Sequence, residues 1–229
     1  MCGRYSMSAS TADLMAFFDA RDERGGVVSE SWNVAPTQAV TIVVERPDEA
    51  GEEPVRQLRA ARWGLVPFWS ETGTPNARAI NARAETVAEK PSFRAAAKSR
   101  RAIVPADGFY EWTGEKGNKT PYFLHDPDTK ILSFGGLYEF WRDDKGDDWL
   151  VTCTIITRPA TDAVGHIHDR TPLIIPPDMW SDWLDCAGGP SITELIAATP
   201  DPVLTPRQVS RAVGNVRNND PSLLEPASG

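Results

Sequence analysis

The chain has 229 residues, of which 41% are hydrophobic and 24% are charged, and its formal net charge at pH 7 is −8. This length is enough to bury a sizeable core, while the acidic balance excludes nonspecific polyanion binding by the whole surface. No apolar run approaches the roughly 20 residues of a membrane span, and no signal peptide is visible, so we expect a globular protein without membrane contact.

The three cysteines, Cys2, Cys153 and Cys186, are widely spaced and odd in number. Neither a CxxC motif nor the Cys/His spacing of a zinc site is present, which argues against a disulfide framework or structural metal. We therefore expect no metal, no cofactor and a reducing, cytoplasmic location.

The first four residues, Met1-Cys2-Gly3-Arg4, carry the most suggestive chemistry. Loss of Met1 would leave Cys2 with an α-amine and a thiol on adjacent carbons. The amine can condense with an aldehyde to an imine, which the thiol can close to a thiazolidine ring. Both groups are partly deprotonated near neutral pH, since their unperturbed pKa values are about 8 and 8.5. The alternative is an ordinary frayed terminus.

The predicted elements of the first half follow from local patterns. A capped helix is predicted after Ser10, because a hydroxyl and an acid precede an apolar run. A proline loop at residues 31–38 leads into a β-branched strand at 39–44. Residues 46–54 are typical of a mobile hairpin tip, from which residues 57–64 return as the partner strand.

The second half predicts more strands than helices. Its expected elements are a basic helix at 92–101, strands at 102–105, 122–125, 131–138 and 149–156, short helices at 177–184 and 191–197, and a last strand within 203–214. The segments 122–125 and 131–138 alternate like antiparallel strands around a turn. Residues from about 218 are interpreted as a polar tail.

These elements lack β-α-β alternation, internal repeats and linkers. We therefore predict a single α+β domain over residues 1–229, with a mainly antiparallel, curled and barrel-like sheet and short flanking helices. Charge is distributed unevenly along it, because residues 56–101 contain ten basic and three acidic side chains. This segment is either a basic binding face or a solvated helix face, and charge alone does not decide between them.

Glu111 lies between aromatic residues in Gly108-Phe109-Tyr110-Glu111-Trp112. Desolvation there would raise its pKa towards neutrality and suit it to proton transfer. The alternative is a strand-end glutamate that faces water.

The segment around His168 contains His166-Ile167-His168-Asp169-Arg170. In extended backbone the two histidines share a face, but no third metal ligand is obvious. A single proton-shuttling histidine next to Arg170 is one interpretation. Turn histidines satisfied by the backbone are the other.

Asn81 and Arg83 alternate outward on one face of a short segment. Arg83 could bind a phosphate in bidentate fashion, and Asn81 could hold an amine or a base edge. Trp69, after Pro67, could stack on an unpaired base, or it could be a core tryptophan.

Seven sequence blocks, in order, jointly match one family. They are Met1-Cys2-Gly3-Arg4-Tyr5, Trp32-Asn33-Val34-Ala35-Pro36-Thr37, Arg62-Trp63-Gly64-Leu65-Val66-Pro67, Ile80-Asn81-Ala82-Arg83-Ala84-Glu85-Thr86, Val104-Pro105-Ala106-Asp107-Gly108-Phe109-Tyr110-Glu111-Trp112, Ile167-His168-Asp169-Arg170-Thr171-Pro172 and Ser210-Arg211-Ala212-Val213-Gly214-Asn215-Val216. On these blocks the chain resembles the SRAP (SOS response-associated peptidase) proteins, also named abasic-site processing proteins. It departs from some members at Ser70, where they carry a second tryptophan.

The resemblance implies a specific activity. Family members lose Met1, apparently by autoproteolysis, and Cys2 then forms a thiazolidine crosslink with an abasic site in single-stranded DNA, which shields the lesion. The implied catalytic set is Cys2, Asn81, Glu111 and His168. The implied DNA-binding set is Arg4, Asn33, Pro36, Trp69, Arg83, Arg170 and Arg211. A monomer that associates with the nucleoid when bound to DNA is expected.

Two other functions stay open on the sequence. Cys2 with His168 and Glu111 could act on peptides or amides in trans, as in N-terminal-nucleophile hydrolases. Those enzymes need two stacked sheets flanked by long helices, and few long helices are predicted here. The other alternative is a nucleic-acid-binding module without chemistry.

Overall fold

The computed structural model describes residues 2–26, 28–47, 54–75, 79–115, 117–143, 146, 149–161 and 163–227. The strands are Tyr5–Met7 (β1), Ala20–Asp22 (β2), Ser31–Val34 (β3), Ala39–Pro47 (β4), Pro54–Trp63 (β5), Asn81–Arg83 (β6), Arg101–Ala106 (β7), Gly108–Thr113 (β8), Thr120–His125 (β9), Leu132–Trp141 (β10), Leu150–Pro159 (β11), Arg170–Pro172 (β12) and Thr205–Gln208 (β13). The α-helices are Thr11–Phe18 (α1), Arg94–Ser99 (α2), Trp180–Leu184 (α3) and Ile192–Ala198 (α4). The 3₁₀ helices are Ala163–His166, Pro177–Met179, Arg211–Gly214 and Pro221–Leu224.

The strands form two sheets. The smaller sheet has the order β13-β9-β8-β1-β3, so the N-terminal strand β1 is paired on both edges. The larger sheet has the order β12-β11-β10-β7-β4-β5-β2. In addition β5 pairs in parallel with β11, which closes the path β11-β10-β7-β4-β5 into a ring. The α+β class with a mainly antiparallel, curled sheet is thereby confirmed.

Aromatic side chains pack between the two sheets. Tyr5 of the smaller sheet contacts Trp63 and Phe134 of the larger one edge-on, with ring centroids 5.2 and 6.2 Å apart. Phe109 contacts Phe134 in the same way at 6.0 Å. All four rings are at most 1% exposed, and buried aromatic pairs of this geometry add to the hydrophobic stabilisation. This packing fixes β1 against the ring.

Most local predictions are confirmed, and the reasons are short-range. At the start of α1 the Ser10 hydroxyl accepts from the Asp13 N–H, and the Asp13 carboxylate accepts from the Ser10 N–H in return. Strand β4 pairs with β5 in register from Ala39 to Pro47, as predicted. The predicted basic helix is shorter than expected, because β7 already begins at Arg101.

Three expectations of secondary structure were wrong. The predicted proline loop at 31–38 begins with strand β3. Strands β9 and β10 do not form a hairpin but belong to different sheets. His166 ends a 3₁₀ helix, so the histidines are not on one extended segment. In the region that was interpreted as a polar tail, Leu223 is 1% exposed and Pro226 bridges to Val209. The hairpin tip at 48–53 and residues 76–78 lie outside the described residues. None of the helices in the described ranges is long and apolar enough to span a membrane.

Candidate functional site

The N-terminal residues run along β8 towards Glu111. Tyr5 pairs with Phe109, and the backbone N–H of Tyr110 donates to the Arg4 carbonyl at 2.9 Å. Continuing this antiparallel register brings Gly3 opposite Glu111. Cys2 is 0% exposed, so the frayed terminus that sequence position suggested is not what the fold produces.

Asn81 binds Cys2 directly. It begins β6, which pairs in parallel with β11 at Ile155, and its side-chain Nδ2 donates to the Cys2 carbonyl at 2.8 Å. Asn81 is 7% exposed and not outward-facing as the alternation predicted. Its Oδ1 is buried and has no hydrogen-bond partner among the described residues. A buried acceptor of this kind suits an N–H group of a ligand or of a processed terminus.

Glu111 is close enough to Cys2 to affect the pKa of its thiol. Burial, and then the negative charge of Glu111, raise the pKa of the Cys2 thiol far above its usual range. Burial also raises the pKa of Glu111 to about 7. Glu111 is 5% exposed and follows the fully buried Phe109 by two residues. The site therefore pairs a neutral thiol with a carboxyl group that can gain or lose a proton near neutral pH.

His168 is held in one tautomer by the backbone. Its Nδ1 accepts from the Arg170 N–H at 3.0 Å, and burial lowers its pKa. Nδ1 also lies 2.9 Å from Asp169 Oδ1, a contact that would favour a protonated ring. The Asp169 side chain is 86% exposed, so solvent screens its charge, and the backbone bond decides. We therefore expect His168 to be neutral, with its proton on Nε2.

Arg170, the first residue of β12, is buried. It is 9% exposed, and its two terminal nitrogens bind both carboxylate oxygens of Glu85. One of them also donates to the Thr157 carbonyl of β11. Both terminal nitrogens of this guanidinium are bonded within the protein, so we expect no direct phosphate contact from it.

Arg4 and Asn33 likewise make internal contacts. Arg4 Nη1 donates to Asn33 Oδ1 at 2.7 Å and to the Val213 carbonyl at 2.9 Å. Asn33 is 1% exposed, and its Nδ2 faces the carbonyls of Val213, Asn215 and Asn218 at 2.8 to 3.2 Å. The geometry assigns both residues to fastening the C-terminal segment against β1 and β3.

The remaining predicted DNA-binding residues lie closer to solvent. Arg83 is exposed, and Trp69 is 56% exposed, so Trp69 is not a core residue. Its neighbour Phe68 is 60% exposed, and the sequence analysis did not select it. The proline two residues before Trp69 was the available signal, since a turn there leaves both rings outside the strand.

Three further residues, Pro36, Arg211 and Lys119, lie in turns or at the surface. Pro36 is half-buried in a turn, and exposed Arg211 donates to Asn118 Oδ1 at 2.8 Å. Lys119 is exposed in the β8–β9 turn. Burial dominates the pKa shifts of Glu111 and His168, and the Lys119 charge acts on both groups by lowering their pKa values. The sequence analysis missed Lys119, although its place in the turn that follows Glu111 was a signal.

We also considered a cavity elsewhere in the described structure and the possibility of a metal site. A cavity of about 910 Å³ is lined by His125, Arg207 and Asp107, and none of the predicted catalytic residues borders it. It lies at the end of β9 away from Glu111, because His125 follows Leu124, the partner of Phe109. Within the described ranges, no group of three His, Cys, Asp or Glu residues is arranged to hold a metal.

The chain is similar to several known proteins. A family model described as SOS response associated peptidase (SRAP) matches residues 1–216. Abasic site processing protein YoqW of Bacillus subtilis is 34% identical over 98% of this chain and 99% of its own length. Abasic site processing protein YedK of Escherichia coli is 32% identical over 99% of this chain and 100% of its own length. A crystal structure of a Bacteroides thetaiotaomicron protein superimposes with a TM-score of 0.82 at 25% identity, covering 99% of this chain and 100% of the other.

Proposed function

The chain belongs to the SOS response associated peptidase (SRAP) family, and from this premise we propose that it captures abasic sites in single-stranded DNA. In the proposed reaction Cys2, freed of Met1, forms a covalent thiazolidine crosslink with the aldehyde of the lesion. The observation that carries the proposal is the seating of Cys2, which is fully buried, bonded to Asn81 and within the electrostatic reach of Glu111.

The first chemical step is opening of the abasic sugar. The ring-closed hemiacetal opens when the bond from C1 to the ring oxygen breaks, the ring oxygen gains a proton and the C1 hydroxyl loses its proton to solvent, and a proton donor at the ring oxygen speeds this step. His168 is suited to this step because its Nδ1 already accepts a backbone N–H. Its remaining proton, on Nε2, is the one that it can donate.

The second step joins the amine of Cys2 to the aldehyde carbon. The nitrogen adds to the carbonyl, a proton moves from nitrogen to oxygen, and loss of one water gives the imine. Asn81 supports this step, because it holds the Cys2 carbonyl at 2.8 Å and keeps a buried Oδ1. That oxygen can accept an N–H of the attacking amine and orient its lone pair.

The third step closes the thiazolidine. The sulfur of Cys2 adds to the imine carbon, and the thiol proton ends on the ring nitrogen, so atoms balance without a co-reactant. Burial raises the pKa of the Cys2 thiol, which means that a base must take its proton. Glu111, whose pKa burial raises to about 7, is the group that can take this proton and return it to nitrogen.

The exposed residues supply the proposed DNA contacts. Arg83, Arg211 and Lys119 are cations placed for phosphates, and Trp69 and Phe68 offer faces for stacking unpaired bases. Pro36 contributes apolar surface beside them. Removal of Met1 by the same site, a peptidase reaction in cis, is part of the proposal.

A denaturing assay tests the proposal. Met1-processed protein should form an adduct with single-stranded DNA that carries an abasic site, and intact mass should equal protein plus DNA minus one water. Cys2→Ala should form no stable adduct, whereas the control Cys186→Ser should crosslink like wild type. Full adduct yield from Cys2→Ala would contradict the thiazolidine mechanism.

Peptide hydrolysis in trans is the second candidate, favoured by the name of the matching family. A cysteine hydrolase needs a thiolate, and the buried, neutral thiol of Cys2 argues against one. Turnover of a peptide library without DNA, lost in Cys2→Ala, would favour this candidate over crosslinking.

A further inference from the structure

An ion pair between Glu85 and Arg170 connects the segment that carries Asn81 to the segment that carries His168. Glu85 follows β6 by two residues, and Arg170 opens β12. Both carboxylate oxygens of Glu85 accept from the terminal nitrogens of Arg170, one of them at 2.9 Å. Because this arrangement is bidentate, it fixes the orientation of the guanidinium as well as its distance.

The two ends of this pair carry residues of the proposed reaction. Asn81 lies four residues before Glu85 on the same short segment, and the Ala84 N–H donates to the Thr157 carbonyl of β11. His168 lies two residues before Arg170, whose backbone N–H donates to its Nδ1. The side chain of Arg170 therefore ties the Asn81 segment to the backbone group that sets the His168 tautomer.

Burial of the arginine distinguishes this pair from ordinary surface ion pairs, whereas the Glu85 side chain is 47% exposed. Arg170 is 9% exposed, and its Nε has no hydrogen-bond partner among the described residues. A buried guanidinium that loses its carboxylate is strongly disfavoured. The hydrogen bond from Arg170 lowers the pKa of Glu85, so the carboxylate stays charged at neutral pH and the pair stays intact.

We infer that Glu85 and Arg170 are positioning residues that hold His168 as a proton donor. This inference rests on the proposed function, because it assigns the pair to the sugar-opening step. Neither residue touches the reacting atoms. Their part is to keep the Arg170 N–H against Nδ1, so that the proton of the imidazole stays on Nε2 and faces the lesion.

The test combines Glu85→Gln with a matched control. Glu89→Gln removes a nearby exposed glutamate and should behave like wild type. Arg170→Lys is a second variant, since it keeps the charge and the backbone N–H but cannot form the bidentate pair. Three quantities are measured: the single-turnover crosslinking rate at saturating abasic DNA, the affinity for DNA with a tetrahydrofuran analogue of the lesion, and the ¹⁵N signals of the His168 imidazole.

We expect Glu85→Gln and Arg170→Lys to crosslink about tenfold more slowly, a fraction of the roughly 100- to 10,000-fold that a positioned proton donor contributes. Affinity for the analogue should stay within about twofold of wild type if the pair acts through His168 alone. The imidazole signals should change from those of a single Nε2–H tautomer to a mixture of the two.

Three outcomes would overturn the inference. Wild-type crosslinking rates in both variants would remove the positioning role. An unchanged Nε2–H spectrum would do the same, whatever the rate. A large change in affinity at an unchanged saturated rate would assign the pair to DNA binding. If wild type itself forms no adduct, the proposed function fails, while the tautomer measurement still decides the inference.

Discussion

At the scale of single residues, burial of Glu111 opposes folding but suits this carboxyl group to proton transfer. A carboxyl group that is 5% exposed between aromatic residues opposes folding whenever it is ionised. The same burial raises its pKa to about 7, where proton exchange is fastest under neutral conditions. Removing its charge should therefore stabilise the fold and slow the reaction.

Glu111→Gln tests both effects. The folded pKa of about 7 lies above the usual value of 4.5, so ionisation destabilises the native state as pH rises between these values. We expect the variant to exceed wild type in free energy of unfolding by up to about 3 kcal/mol at pH 8 and by little at pH 4. Urea unfolding at both pH values measures this difference.

The crosslinking rate of wild type should rise with pH through an apparent pKa of about 7, since Glu111 must be ionised to accept the thiol proton. Glu111→Gln should crosslink more slowly, and its rate should not rise with pH in this range. If the variant keeps the wild-type rise, the titrating group is not Glu111.

Trp69 should contribute to binding without affecting stability. It is 56% exposed, and base stacking on an aromatic ring is worth about 1–3 kcal/mol. Trp69→Ala should weaken single-stranded DNA binding by that amount in fluorescence anisotropy. Trp149→Ala is the control. Trp149 is similarly exposed, at 59%, but Arg142 lies over its ring and Phe140 contacts it edge-on. Equal losses in the two variants would contradict a specific platform at Trp69.

At the scale of elements, the smaller sheet positions the N-terminal segment that carries Cys2. Strand β1 is three residues long and paired on both edges, and β3 carries Asn33, to which the segment 213–218 is bonded. The N-terminal strand is therefore clasped by the C-terminal segment. This contact could not be predicted from the sequence, because nothing local marks a partner that lies 180 residues away.

Asn33→Ala should open this clasp. The change removes the Asn33 donor from the carbonyls of Asn215 and Asn218 and leaves the Val213 carbonyl with Arg4 alone, which costs about 1–3 kcal/mol. Amides of residues 213–218 should exchange hydrogen faster, and crosslinking should slow because Arg4 loses an acceptor. Asn118→Ala, which removes one exposed hydrogen bond, is the control and should change stability by less than about 0.5 kcal/mol. Unchanged exchange at 213–218 would contradict the clasp.

Element prediction succeeded where the determinants were local. The capping box of α1 depends on Ser10 and Asp13, three residues apart, and the β4–β5 ladder on adjacent strands. The β9–β10 pairing failed, because alternation marks a strand without naming its partner. In the same way, desolvation of Glu111 followed from its aromatic neighbours, whereas the Asn81 bond to Cys2 needed the fold.

At the scale of the whole molecule, the net charge is −8, but residues 56–101 contain ten basic and three acidic side chains. Under the proposed function we expect weak long-range attraction for DNA and an affinity that depends on a few exposed cations. Arg83 and Lys119 are exposed, while Arg170 is paired with Glu85. Binding should accordingly be sensitive to salt, with a contribution from each of the two exposed cations.

Arg83→Ala should reduce the magnitude of the salt slope of single-stranded DNA binding by about 0.7, the value for one phosphate contact. Affinity measured between low and moderate salt gives this slope. Lys130→Ala is the control, because Lys130 is exposed near the cavity at the far end of β9. An equal reduction by Lys130→Ala would indicate a diffuse charge effect without a defined strand path.

The bond between Arg4 and the Val213 carbonyl spans 209 residues, and this has a consequence for biosynthesis. Residues 213–218, which are bonded to Arg4 and Asn33, are synthesised long after Cys2. A nascent chain that lacks them would present Cys2 without this contact, so the buried position of Cys2 can be completed only after they have been made.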